Sequence, residues 1–272
     1  MTGRRLTAAE AEHIASLLSD RDWAILRSLA AARMLTGHQL TRLHFHDLSA
    51  QTRDRVRRRV LERLTRLRIA TRLGRIVGGV RSGSSGWIFA LDLAGQRLAQ
   101  AAAGPCTGRL RRPWTPSALF LAHSLDVAEL YVRLAEQARG QAFTVTTFQT
   151  EPACWWPDGL GGFIKPDAFV VLSTARFDEL SWLEVDRGSE SLPTIKRKLS
   201  DYLDFMARGQ LGPRDVMPRV VVTVPDEPRL AAVEREADRL SSRTDGLFSV
   251  VTFAAAADFL ARLALQPENH PP

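Results

Sequence analysis

Two carboxylates invite a chemical reading. In the stretch IKPDAFVVLSTARFDELSWLEVDRGSES, residues 164–191, Asp167 follows Pro166 at the head of one apolar, β-branched run and Glu184 closes the next. Acids placed this way on neighbouring strands are the oxygen donors that a hard divalent cation takes. Mg²⁺ or Mn²⁺ held there beside a phosphodiester would lower the pKa of a bound water and neutralise charge building on the phosphate. Such sites ordinarily carry a lysine two residues after the second acid, and here Asp186 stands in that place. Lys196 and Lys198, in the next predicted helix, are the candidates to supply the missing cation; alternatively Asp186 and Arg187 form a local ion pair that closes a turn. Glu129 lies on the helix before the strands, with His123 and Asp126 at i, i+3 and i+6, and is the candidate third ligand beside Asp167 and Glu184.

The elements that must position these groups follow from periodicity. SALFLAHSLDVAELYVRLAEQAR reads as a long helix capped by Ser117, AFTVTTFQTE as a strand, PACWWPDGLGG as a loop, and FIKPDAFVVL and DELSWLEVD as two more strands. SLPTIKRKLSDYLDFMARG is a helix with Pro193 in its first turn, where a missing N–H costs nothing. MPRVVVTVP, uniformly apolar, predicts a strand buried on both faces. A helix, a strand and a closing helix complete an αβββαβαβα order, which is an α/β layer fold. Trp155 and Trp156, before Pro157, either stack on bases or pack against a sheet edge.

Charge divides the chain. Residues 1–112 hold 21 arginines and no lysine against eight acids, a net +13, whereas the remainder holds 16 basic and 22 acidic residues, a net −6. A basic half joined to an acidic one predicts a polyanion-binding module attached to a body with another task. Within the basic half four helical segments precede two strands separated by GGVRSGSSG, and a closing helix follows. Three helices and a glycine-tipped hairpin are the order of a winged helix, whose last helix enters the DNA major groove. In SAQTRDRVRRRVLERLTRL the apolar stripe is Val56, Val60, Leu64 and Leu67. At about 100° per residue, Arg55, Arg58, Arg59 and Arg66 point away from it, Arg63 sits on its edge, and Arg53 and Arg57 snorkel along it. Gln51, Thr52, Arg55 and Arg58 would then lie nearest base edges and the later arginines along phosphates. Arg72, Arg75 and Arg81 of the hairpin would reach the backbone beside them. Double-stranded DNA is the expected partner, because the deep, narrow major groove of RNA excludes a helix.

The expected organisation is α/β, or α+β overall: a winged-helix DNA-binding domain over residues 1–104, a basic Pro/Gly linker over 105–116 and a nuclease-like α/β domain over 117–272. No run of about 18 apolar residues marks a membrane span. The opening MTGRRLTAAEAEH has no apolar segment after its arginines, so a cytoplasmic protein is expected. Cys106 and Cys154 are too few and too far apart for a disulfide framework or a zinc site.

Two resemblances attach to these residues. Pro166-Asp167 and Glu184, in the order αβββαβ, are similar to the PD-(D/E)xK pattern of the restriction-endonuclease-like fold, with Lys198 and Tyr202 similar to the QxxxY found after it in some such nucleases. Over nearly its whole length the chain resembles the replication-relaxation family of actinobacterial plasmids and integrative elements. That likeness is carried by LTAAEAEHIASLLSDRDWAILRSLAAARMLTGHQLTRLHF, FLAHSLDVAELYVRL and KPDAFVVL…WLEVDRGSESLPTIKRKLSDYLDF. It implies a DNA-binding protein of plasmid replication and DNA relaxation, working with other plasmid replication proteins, and it leaves open whether the chain cuts DNA. A metal-dependent nickase, a non-catalytic origin-binding scaffold and a transcriptional regulator with a degenerate nuclease-like domain all remain open.

Overall fold

Three capping boxes start the chain's first helices. Thr7 with Glu10, Ser19 with Asp22 and Thr36 with Gln39 each exchange side-chain and backbone bonds across one turn, satisfying orphan N–H groups reciprocally. They open α1 (Ala8–Ser16), α2 (Asp20–Ala32) and α3 (Gly37–His44). The structure, a computed structural model, describes residues 7–75, 86–102, 110, 113, 116–240 and 246–266. Among these no helix is long and apolar enough to cross a membrane.

The described residues divide into two units, residues 1–132 and 133–272. In the first, β1 (Leu35–Thr36) lies between α2 and α3, and α4 (Ala50–Arg66), β2 (Ala70–Arg75), β3 (Trp87–Leu91) and α5 (Leu93–Ala102) follow. The sheet order is β1-β3-β2, antiparallel throughout, with Leu35 opposite Phe89 and Ala70 opposite Leu91. Two-residue β1 was not legible, because so short a segment shows no alternation. Ile25, Leu26, Leu29, Leu35, Leu40, Phe45, Leu64, Ile69 and Ile88 are buried and form this unit's core. On α4 the buried residues are Leu61 and Leu64, whereas Val56, Val60 and Leu67 of the expected stripe are only half-buried.

Most of the linker expected at 105–116 lies outside the described residues. The division between the two units falls inside α6 (Ala118–Ala138), between Val132 and Arg133. The cause is packing: Phe120, Leu121 and Leu125 of α6 lie against Met34, Ile88 and Ala90 of the first unit. Further along the helix the Tyr131 hydroxyl bonds to Ser28 Oγ at 3.0 Å.

In the second unit, β4 (Thr144–Thr150), β5 (Trp156–Pro157), β6 (Phe163–Ile164), β7 (Ala168–Ser173), β8 (Asp178–Val185), α7 (Leu192–Ala207), β9 (Arg219–Val224), α8 (Glu227–Leu240), β10 (Phe248–Thr252) and α9 (Ala256–Leu265) run in order. Five strands form one sheet, β10-β9-β8-β7-β4, with β5 and β6 as a separate hairpin. Strands β4, β7 and β8 are antiparallel neighbours. The parallel pairs β8–β9 and β9–β10 are joined through α7 and α8, the crossovers that parallel pairing requires. The expected second strand is thus split. Phe163 and Ile164 turn back on Trp156 and Pro157, and β7 starts only at Ala168, because Pro166 has no N–H to donate to a ladder.

One face of the sheet buries Phe169, Val171, Trp182, Val220, Val222 and Val224 under Ile195, Leu199, Tyr202 and Phe205 of α7 and Val233 and Ala237 of α8. On the alternate positions lie Ala168, Val170, Leu172, Leu183 and Val221, all buried, and α9 packs against β7, β8 and β10. Trp155 and Trp156 pack against the first of these clusters, with Trp156 Nε1 donating to the Leu211 carbonyl at 2.9 Å. Phe205 is fully buried, with its ring edge-to-face on Trp182 at 5.8 Å. Phe205→Ala is expected to cost about 3–5 kcal/mol, read as a lower urea midpoint at unchanged m-value for unfolding of the second unit.

Candidate nucleic-acid interface and acidic site

Helix α4 starts after Ser49, whose side chain makes no capping bond to the helix backbone. Its arginines fall into two groups. Arg53 donates to the Leu48 carbonyl at 2.8 Å, and Arg57 donates to Thr41 Oγ1 at 3.0 Å; both are half-buried, as their place beside the apolar stripe predicts. Arg63, expected at the DNA, is instead paired with Asp22. Asp22 is fully buried, and a buried carboxylate without a counter-charge is strongly destabilising, so Arg63 acts inside the fold.

Arg55, Arg58, Arg59 and Arg66 are exposed. At about 100° per residue they span one outward face, which also includes Glu62. Arg58 Nε donates to the Asp54 carbonyl at 3.2 Å, one turn back on its own helix. Arg55, Arg59 and Arg66 have no hydrogen-bonding or ionic partner among the described residues. At the N-terminal end Gln51 is exposed and Thr52 half-buried, its hydroxyl 3.0 Å from Ser49 Oγ. On the strands, exposed Arg72 lies over the Trp87 ring at 5.3 Å, and Arg75 ends β2 opposite Trp87. Arg81 lies outside the described residues.

In the second unit Asp167 and Glu184 meet where β7 and β8 begin and end. Asp167 continues the pairing past the end of β7: its N–H donates to the Leu183 carbonyl at 2.9 Å, and its Oδ2 accepts from the Val185 N–H at 2.7 Å. Glu184 shares a face of β8 with Trp182 and is buried beneath α7. Two donors from α7 answer it, Tyr202 Oη at 2.6 Å to Oε1 and Lys198 Nζ at 3.2 Å to Oε2. Spacing by four puts Lys198 and Tyr202 one turn apart on the same flank. Lys196 falls on the other flank and is exposed, away from the acids. Lys198 Nζ also donates to Glu190 Oε1 at 2.9 Å.

The electrostatics follow from burial. Burial and the neighbouring charge of Asp167 push the Glu184 carboxyl up to about 7, against the pull of Lys198 and the Tyr202 bond. Burial works against the Lys198 ammonium, but Glu184, Glu190 and Asp167 outweigh it and hold its pKa above the ordinary lysine value. Burial and Glu184 together raise the Tyr202 hydroxyl well above its usual range. Cys154 donates to the Pro166 carbonyl at 3.0 Å. Burial, with Asp167, Glu151 and Glu184 nearby, pushes its thiol up to about 12, so it is not a nucleophile at neutral pH.

Asp186 is a pin and not a substitute for the lysine. Its Oδ1 accepts from the Gly188 N–H at 2.8 Å, and its Oδ2 accepts from Arg229 Nε of α8 at 2.6 Å. Arg229 also donates to the Glu190 carbonyl at 2.5 Å, so one guanidinium ties down the β8–α7 connection. Sequence reasoning missed Glu190 and Arg229. Glu190 lies in the stretch first singled out, but nothing local marks Arg229, which reaches Asp186 from 43 residues on.

Glu129 belongs to the first unit, where Arg42 Nη1 holds it at 2.6 Å and Gln39 Nε2 at 3.1 Å. That carboxylate joins α3 to α6 within the first unit. Among the described residues no group of three or more His, Cys, Asp or Glu is arranged to hold a metal ion. Asp167 and Glu184 remain oxygen donors of the type a hard cation takes, two carboxylates with waters completing the shell.

The model of one protein family, described as replication-relaxation, matches residues 26–220, well over half of the chain. The chain belongs to the replication-relaxation family. Membership points to a role in plasmid or mobile-element replication and relaxation. The matched region of this replication-relaxation protein contains all of α4, both acids and Lys198, whereas Arg229 lies beyond it. No curated protein and no solved structure matches the chain.

The raised Glu184 pKa carries a pH dependence. The folded chain holds this proton more tightly than the unfolded chain, whose ordinary value is 4.5. Glu184 therefore contributes stability that is fully present below about 4.5 and is lost as pH rises through about 7. Urea unfolding between pH 5 and 8 should show this decline in the native chain and a flatter profile in Glu184→Gln.

Proposed function

We propose that this replication-relaxation protein binds duplex DNA through the outward arginine face of α4 and nicks a strand with Asp167, Glu184 and Lys198. The order α2-β1-α3-α4-β2-β3, with sheet order β1-β3-β2, supports a winged-helix reading, in which α4 would be the helix that enters the major groove. The observation that carries DNA binding is the exposure of Arg55, Arg58, Arg59 and Arg66 along one face, with only Glu62 to offset them. In that pose Gln51, Thr52, Arg55 and Arg58 face base edges, Arg59 and Arg66 face phosphates, and Arg72 follows the backbone beside the groove.

For nicking, the support is the pair of acids with a lysine brought to them from α7 in place of the missing strand lysine. Asp167 and Glu184 would hold Mg²⁺ or Mn²⁺, which supplies charge neutralisation and a more acidic bound water. Lys198, 3.2 Å from Glu184, orients the attacking water and offsets charge on the phosphate as the water oxygen bonds to phosphorus. The bond to the leaving ester oxygen breaks; that oxygen takes up one proton by way of solvent, to which the water gives one up, and the water's other proton stays with the new phosphomonoester. Arg229 and Glu190 position the lysine without touching the reacting atoms.

A second reading, an origin-binding scaffold without catalysis, draws on a different observation. Both Glu184 oxygens are taken by Tyr202 and Lys198, and the carboxylate is 5% exposed.

Supercoiled plasmid with Mg²⁺ or Mn²⁺ separates the two. Nicking by the native chain that disappears in Asp167→Ala, Glu184→Ala and Lys198→Ala supports the nickase; duplex binding with no nicking supports the scaffold. Arg58→Ala and Arg59→Ala should each weaken duplex binding, and Arg59→Ala should lower the slope of log K against log salt by about 0.9. Unchanged binding in both variants would remove α4 as the reader.

A further inference from the structure

The β5–β6 hairpin is built as a rigid flange with an apolar, partly aromatic outer surface. Its tip is held by the Asp158 carboxylate, which accepts from the Leu160 N–H at 2.8 Å and the Gly162 N–H at 2.9 Å. Gly159 and Gly161 adopt φ of 79° and 90°, which favour glycine. The flange is moored to the segment after α7 by Trp156 Nε1 on the Leu211 carbonyl and by Arg208 Nη2 on the Asp158 carbonyl at 3.2 Å. Despite this order it leaves Phe163 51% exposed, with Leu160 and Leu211 exposed as well.

Phe163 stands four residues before Asp167, and exposure alternates along the stretch between them. Phe163 and Lys165 are exposed, Ile164 and Pro166 are buried, and Asp167 is half-buried. Pro166 favours an extended Lys165 before it. The Lys165 ammonium lies over the Trp155 ring at 5.0 Å, and Trp155 in turn lies 6.5 Å from Phe163. An open aromatic face, an exposed ammonium and a carboxylate of the candidate site therefore stand within five residues, with Arg208 at the hairpin's other side.

We propose that this flange is a platform for unpaired DNA, with a base stacked on Phe163 and the backbone phosphates on Lys165 and Arg208. Charge complementarity and stacking choose this occupant. Paired bases in a duplex present no free ring face, whereas an unpaired base does, and aromatic rings interleaved with cations bind single strands with little regard to sequence. The inference rests on the reading of the protein as DNA-binding, but not on nicking or on the α4 contacts.

Fluorescence anisotropy of the full chain with a short labelled oligo(dT) tests it. Phe163→Ala should weaken binding about tenfold, Phe163→Trp should restore it, and Lys165→Ala should lower the salt slope by about 0.7. Duplex binding measured in parallel should be unchanged in Phe163→Ala. Conversely, Arg58→Ala and Arg59→Ala should weaken duplex binding and leave oligo(dT) binding intact, which separates failure of the platform from failure of the reader helix. Circular dichroism and melting check that the variants fold. The proposal is overturned if the native chain does not bind oligo(dT), or if both flange variants bind it as the native chain does. It is also overturned if Phe163→Ala changes only the sedimentation of the protein, which would make the flange a contact between copies.

Discussion

A carboxylate buried against a sheet must be answered by donors, and the second unit is arranged around that requirement. Glu184 sits on β8, the middle strand of five, under a helix, where an unpaired charge would be costly. Tyr202 and Lys198 satisfy both of its oxygens from α7, so the same contacts that pay for burial also fix the helix in register on the sheet. Because Lys198 shares Glu190, and Glu190 shares Arg229 with Asp186, the constraint extends through the β8–α7 connection to α8. Asp186 on the strand serves as an anchor for this connection, and the cation beside Glu184 comes from a helix.

In the first unit, acids sort the arginines. Asp22 takes Arg63 and Glu129 takes Arg42, both within the packed interior or at its margin. A chain segment with 21 arginines and eight acids cannot pair them all, and four of those left over, Arg55, Arg58, Arg59 and Arg66, share one exposed face of α4.

The long helix from Ser117 and the apolar strand at Arg219–Val224 lie where side-chain chemistry predicts them. The splitting of the strand at Pro166 could have been anticipated from proline's missing donor. By contrast β1 and the β5–β6 hairpin, at two residues per strand, are too short to show a period.

By itself the sequence determined the longer helices and strands and which acids and cations are available, because capping, periodicity and charge act over a few neighbours. Only the tertiary structure decided how these groups are used: Arg63 on Asp22, Glu129 on Arg42, Asp186 on Arg229, and Lys198 rather than Lys196 on Glu184. Each of these pairings joins residues brought together by packing, in most cases tens of positions apart. Burial sets which charge must find a partner, and burial is a property of the packed core that no local stretch contains.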